Sequence, residues 1–185
     1  AEAAGGGELA ARGDRKAFGQ LVRAYQRRAY AAAYSLVGNR DDAMEIAQDS
    51  FVKAYRAMGG FDAALPFYPW LYRIIRNTSL NHIKKRSRRG ESSLDGLMES
   101  GADFASATRG PSDAAGSTEL RAQLARCMQT LSDPHREILS LRHVEELSYE
   151  EIARVLEVPK GTVMSRLHAA RRALREAMMQ TGTTF

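Results

Sequence analysis

Residues 147–174 read LSYEEIARVLEVPKGTVMSRLHAARRAL, and this stretch decides the fold of the last third of the chain. Ser148-Tyr149-Glu150-Glu151 has the form of a capping box, in which Ser148 caps the third helical amide and Glu151 reaches back to the cap. The helix it opens buries Ile152, Val155 and Leu156. Glu157-Val158-Pro159 interrupts it, because Pro159 lacks the amide hydrogen that continuation requires. A second helix begins near Gly161-Thr162, with Val163, Leu167, Ala170 and Leu174 on its core side at steps of four, three and four. Helix, short turn and basic second helix is the helix-turn-helix arrangement, whose second helix enters the DNA major groove.

On a helical wheel Thr162, Ser165, His168, Ala169 and Arg172 point away from that core. Ser, Thr and His can hydrogen-bond base edges or phosphates. Lys160, Arg166, Arg171, Arg172 and Arg175 form a basic block suited to phosphates, which fix register rather than sequence. The pattern alone leaves open a helical hairpin with a polar outer face.

Upstream segments also read as helices. From Lys16 the residues Phe18, Leu21, Val22, Tyr25, Ala29, Ala32, Ala33, Leu36 and Val37 recur at helical spacing, until Gly38-Asn39 stops them. A second helix over Asp41 to about Met58 buries Ala43, Ala47, Phe51 and Ala54, and Gly59-Gly60 ends it. An aromatic loop follows from Phe61 to Tyr68. A third helix starts at Pro69, buries Trp70, Leu71, Ile74, Ile75 and Thr78, and runs into the block Lys84, Lys85, Arg86, Arg88 and Arg89. No segment alternates with period two, so the expected fold class is all-α, without a sheet.

Gly90 to Ser117 reads as a flexible linker, with twelve Gly, Ser or Pro among 28 residues and five acidic residues against one Arg. It separates residues 10–89 from 118–180, each long enough for a small helical core. Ala1 to Gly7 is small and flexible in composition, and residues 1–9 are expected to be a disordered tail. The net charge of +5 is concentrated in two basic blocks on either side of the acidic linker, which suggests two contacts with a polyanion. No apolar run approaches the ~18–20 residues of a membrane span, so a cytoplasmic location is expected. The single Cys127 excludes an internal disulfide and, on a face with Leu120, Leu124 and Leu131, reads as a buried inert thiol. There is no phosphate-binding Gly loop and no metal-ligand cluster. His82, His135, His143 and His168 are scattered, so no catalytic residue, metal or cofactor is expected.

Three features of the first half invite a functional reading. Asp42, Glu45, Asp49, Lys53 and Arg56 share one face of the second helix, with Gln48 at its border. That face is either solvated, with an Asp49–Lys53 pair, or a docking surface for a basic partner. Tyr72, Arg73, Arg76, Asn77 and Lys84 share the outer arc of the third helix, opposite Trp70. Rings, cations and an amide suit unpaired bases. The Lys84–Arg89 block would clamp phosphates beside them.

Together these motifs resemble the extracytoplasmic-function (ECF) subfamily of bacterial sigma factors. DAMEIAQDSFVKAYRAMGGF (42–61) resembles the family's polymerase-binding segment, and FYPWLYRIIRNTSLNHI (67–83) its promoter-melting segment. Residues 147–174 resemble its C-terminal helix-turn-helix. The resemblance implies a region-two domain over 10–89, an acidic linker over 90–117 that threads the polymerase cleft, and a region-four domain over 118–180. It implies that Asp42, Glu45, Gln48, Asp49 and Lys53 meet the beta-prime clamp of core RNA polymerase, with the beta flap as a second contact. Phe61, Phe67, Tyr68, Tyr72, Arg73, Arg76, Asn77, Asn81 and Lys84 would capture flipped bases of the minus-ten element. Lys160, Thr162, Ser165, Arg166, His168, Arg171 and Arg172 would face the minus-thirty-five element. Such factors take promoter DNA and no small-molecule substrate, and are commonly held by an anti-sigma factor, often anchored at the inner membrane. Met164 and Ala169 stand where relatives often carry Arg, and Pro69 replaces a common polar helix cap. The alternative is a helix-turn-helix repressor or activator that is not a polymerase subunit, which would dimerise on palindromic sites.

Overall fold

The computed structural model describes residues 2–88 and 115–181 and is helical throughout them, with no strand among the described residues. The chain forms two compact units, dividing between Leu97 and Met98. Residues 89–114, which include Arg89 and nearly all of the expected linker, lie outside the described residues.

The first unit holds α1 (Glu2–Ala11), α2 (Arg15–Val37), α3 (Arg40–Ala57), a 3-10 turn (Met58–Gly60) and α4 (Phe67–Arg88). Joints of three and two residues separate the first three helices. Gly13 (φ 93°) and Gly38 (φ 69°) take left-handed backbone at the helix ends, a conformation in which glycine carries no Cβ penalty. Each is followed by a cap for the next helix. Asp14 accepts from the amides of Lys16 (2.8 Å) and Ala17 (3.1 Å), and Asn39 from that of Asp42 (3.0 Å). Small side chains let the helices approach closely, since Ala29 and Ala33 of α2 and Ala43 and Ala54 of α3 are fully buried. Phe18, Leu21, Ile46, Phe51, Leu71 and Ile75 fill the remaining core.

Two expectations change here. Residues 1–9 were expected to be a disordered tail, but Glu2–Ala11 is helical and Ala10 is buried. Three consecutive glycines weaken a helix by propensity. Packing overrides this, because Gly7 lies so near Phe61 that a Cβ there would stand 3.2 Å from its ring. The third helix begins two residues before Pro69, at Phe67, so Pro69 sits within the first turn, where its missing amide costs no intrahelical bond.

The second unit holds α5 (Ala115–Thr130), α6 (Asp133–His143), α7 (Tyr149–Leu156) and α8 (Lys160–Gln180). α5 starts inside the segment expected to be linker. Arg136 of α6 donates to the carbonyls of Met128 (3.2 Å) and Leu131 (3.0 Å), closing the end of α5. Cys127 is buried as expected, with Thr181 Oγ1 3.8 Å from its sulfur, but Leu120 and Leu124 on the same helix are exposed. The capping box forms: Ser148 N donates to Glu151 Oε2 (2.7 Å) and Glu151 N to Ser148 Oγ (3.2 Å). Glu157 turns the chain in left-handed backbone (φ 55°), and Pro159 caps α8. Val163, Leu167, Ala170 and Met178 are buried, while Leu174 is half-buried.

Candidate nucleic-acid interface

The buried stripe of α8 sends Met164, Ser165, Arg166, His168, Arg171, Arg172 and Arg175 outward, all exposed, with Thr162 and Ala169 half-buried. Several expected contacts have partners within the unit. Lys160 pairs with Glu150 of α7, whose carboxyl is held below its ordinary value by that bond. The Ser165 hydroxyl donates back to the Thr162 carbonyl (3.1 Å), and Arg172 lies 3.8 Å from Glu176. Arg171 reaches the neighbourhood of His143 at the end of α6. There desolvation, then the charges of Arg171 and Arg142, lower the imidazole pKa from 6.5. The two guanidiniums gathered beside that imidazole are suited to an anion.

On α4 one exposed stripe runs through Arg73, Asn77, Asn81 and Lys84, at steps of four, four and three, with Arg76 half-buried beside it; Ile83, Lys85, Ser87 and Arg88 are exposed at the end of the helix. The exposure of this stripe is as the helical spacing expected, and so is the burial of Phe67, whose ring suits the core; Tyr72, expected on the outer arc, is buried instead. Phe61, Phe67, Tyr68 and Tyr72 are all buried, Tyr72 to 1% exposure and Tyr68 to 3%. Phe61, Phe67 and Trp70 form a mutual cluster with ring centroids 5.0–5.7 Å apart. Tyr68 stacks on Tyr25 of α2 at 5.6 Å, and the Arg28 guanidinium lies 3.6 Å from the Tyr68 ring centre. Trp70, expected in the core, is only half-buried. α4 packs against both α2 and α3. Its buried arc is therefore wider than a single stripe and takes in Tyr68 and Tyr72.

The outer face of α3 carries Glu45, Gln48 and Asp49, all exposed. Asp42 is instead turned into the unit, with Arg86 Nη1 of α4 2.5 Å and His82 Nε2 3.3 Å from its Oδ2. Lys53 donates to Thr78 Oγ1 of α4 (3.1 Å) instead of pairing with Asp49. The sequence reading missed Met44, Val52 and Tyr55, which are exposed around Gln48. Met44 and Val52 sit four residues either side of Gln48, and that spacing was the available signal.

The comparisons with known proteins fall on these same units. Residues 21–89 match the Sigma-70 region 2 family and residues 121–174 the Sigma-70, region 4 family. The chain is 38% identical over 175 residues to the RNA polymerase sigma-H factor of Pseudomonas aeruginosa, covering 92% of this chain and 91% of that one. It is 38% identical over 172 residues to the ECF RNA polymerase sigma-E factor of Escherichia coli, covering 90% and 89%. The chain belongs to the ECF sigma factors.

Solved relatives agree on the fold. CnrH, determined with the cytosolic domain of CnrY, matches with TM-score 0.69 at 25% identity, covering 99% of this chain and 100% of that one. The sigma factor RpoE of Bartonella quintana, in complex with the anti-sigma factor NepR, matches with TM-score 0.67 at 28% identity, covering 89% and 98%. This sigma factor thus acts in transcription initiation, as a specificity subunit of bacterial RNA polymerase and not as an enzyme. Its region-two match begins inside α2, so α1, whose Gly7 lies close to Phe61, stands ahead of that match. Among the described residues of the sigma factor no three His, Cys, Asp or Glu side chains are grouped to hold a metal, and no helix is long and apolar enough to cross a membrane.

Proposed function

We propose that the two units divide promoter recognition between them, with α4 holding unpaired bases of the minus-ten element and α8 lying in the major groove of the minus-thirty-five element. One observation carries this reading: each unit presents an exposed basic helix face, Arg73–Asn77–Asn81–Lys84 on α4 and His168–Arg171–Arg172–Arg175 on α8. On α4, Arg73 and Lys84 hold the backbone while Asn77 and Asn81 meet base edges. Phe61, Phe67 and Tyr72 support the helix from beneath and do not stack on bases. Tyr68 becomes a stacking platform only when Arg28 leaves its ring.

Core polymerase docks through its beta-prime clamp on the exposed face of α3. Glu45, Gln48 and Asp49 supply polarity there, and Met44 and Val52 apolar contact. Asp42 and Lys53 act there by tying α3 to α4. The second unit meets the beta flap. The factor works in the cytoplasm, where the polymerase is, and an anti-sigma factor of the membrane-anchored kind restrains it. The complex of RpoE with the anti-sigma factor NepR supports the anti-sigma partner.

Run-off transcription with core polymerase and genomic promoter fragments tests the reading. Specific start sites that appear only with the added protein are expected. Their absence, together with no binding to core, sinks the proposal. Stable dimers with nanomolar duplex affinity in the absence of polymerase would point to an independent repressor.

A further inference from the structure

The first two turns of α8 contain an anomaly. They face outward with polar and cationic side chains, yet Met164 stands among them at 53% exposure. Val163 and Leu167 are the buried residues of these turns, so Met164 is not part of the core stripe. Scattered single apolar residues on a surface are ordinary. One at the leading end of a helix whose neighbours all carry polar groups is chemically odd and calls for a ligand with an apolar edge.

The neighbours narrow what that ligand is. Lys160 is engaged by Glu150, the Ser165 hydroxyl is turned to the Thr162 carbonyl, and Thr162 and Ala169 are half-buried. The exposed side chains that project from these turns without such a partner are Met164, Arg166 and His168. Met164 and His168 are four residues apart and so are neighbours on one face. Arg166 lies on the opposite flank. In the major groove, the one apolar feature a base pair offers is the C5-methyl group of thymine. A thioether is unbranched and adaptable enough to close on it.

We propose that Met164 reads a thymine methyl in the upstream promoter element, so that this factor prefers T·A at one position for an apolar reason. The inference rests on the reading that α8 lies in the major groove. Arg171, near His143 and Arg142, anchors phosphate on the same helix and carries no base preference.

The test uses holoenzyme, the full chain bound to core polymerase, on a promoter whose start site it has been shown to use. Each thymine of the upstream element is replaced in turn by deoxyuridine, which removes the methyl and nothing else. One position is expected to weaken binding about fourfold, the worth of about one buried methyl-sized group. With Met164→Ala holoenzyme, the same replacement is expected to have no effect. At that position 5-methylcytosine is expected to bind better than cytosine with the wild-type protein only. Met164→Ala is exposed and keeps a strong helix former, so unchanged thermal unfolding should accompany these results.

The proposal is overturned if every deoxyuridine is silent, if the two proteins respond alike, or if Met164→Ala weakens all promoters equally. The underlying groove reading fails separately, if Arg171→Ala leaves binding and its salt dependence unchanged and the upstream element is not protected at all.

Discussion

α4 and α8 are similar in length and both carry a basic outer face, yet they are built differently. α8 buries four of its residues, Val163, Leu167, Ala170 and Met178, in a single stripe. α4 buries eight, including the adjacent runs Phe67-Tyr68-Pro69, Leu71-Tyr72 and Thr78-Ser79. Adjacent residues on a helix point about a hundred degrees apart, so adjacent burial requires cover on two sides. Tyr68 meets Tyr25 of α2, and Thr78 meets Lys53 of α3. The lesson is that a helix buried along a single stripe keeps most of its side chains for a ligand, even when α5, α6 and α7 all meet that stripe, whereas one covered on two sides keeps only a narrow strip.

The largest expected effect tests that contrast directly. Tyr72→Ala should destabilise the first unit by about 3–5 kcal/mol, as loss of a large buried ring does. Met164→Ala should change stability by less than about 0.5 kcal/mol. Thermal unfolding measures both, and a Tyr72→Ala protein that melts normally but fails to open promoters would break the comparison. Next in size, Ser148→Ala removes one half of the capping box and should lower the stability of the second unit by about 1 kcal/mol. Denaturant titration of residues 118–180 is the measure, and no change would mean that Glu151 alone holds the helix start.

Smaller again is the coupling between Asp42 and Arg86. Both side chains are part-exposed, so a double-mutant cycle of Asp42→Ala and Arg86→Ala should give about 0.5–1 kcal/mol. A coupling of zero would free Asp42 for the polymerase face.

The smallest effect is pH dependence at His143. Its folded pKa lies below 6.5 because of desolvation, Arg171 and Arg142, so the unfolded chain binds the proton first. Stability of the second unit is fully present above pH 6.5 and declines as the pH falls through that value toward the folded pKa. Arg171→Ala should reduce this loss, and melting curves between pH 7.5 and about 5.5 would reveal it. A melting point that rises on acidification would reverse the assignment.

What could be read in advance divides along the same line. The helix-turn-helix was legible because its signals are local: a cap, a box and a proline within a few residues. Gly38-Asn39 was legible for the same reason. The burial of Tyr68 and Tyr72 was not, because it depends on a second neighbouring helix that no periodicity within α4 encodes. The diversion of Asp42 to Arg86 was hidden too, since the partners are 44 residues apart. α1 was misread because three glycines advertise flexibility, while the closeness of Phe61 to Gly7 is a tertiary fact.

The short joints at Arg12-Gly13-Asp14 and Gly38-Asn39 also bear on how the molecule is made. Because α1, α2 and α3 follow one another with almost no intervening chain, many of their contacts join residues close in sequence. Helical units of that kind fold in microseconds to milliseconds. A ribosome adding about 5–20 residues per second needs seconds to complete the span from Met98 to Phe185. The first unit therefore has time to fold while α8 is still being synthesised, so the two units come into being one after the other.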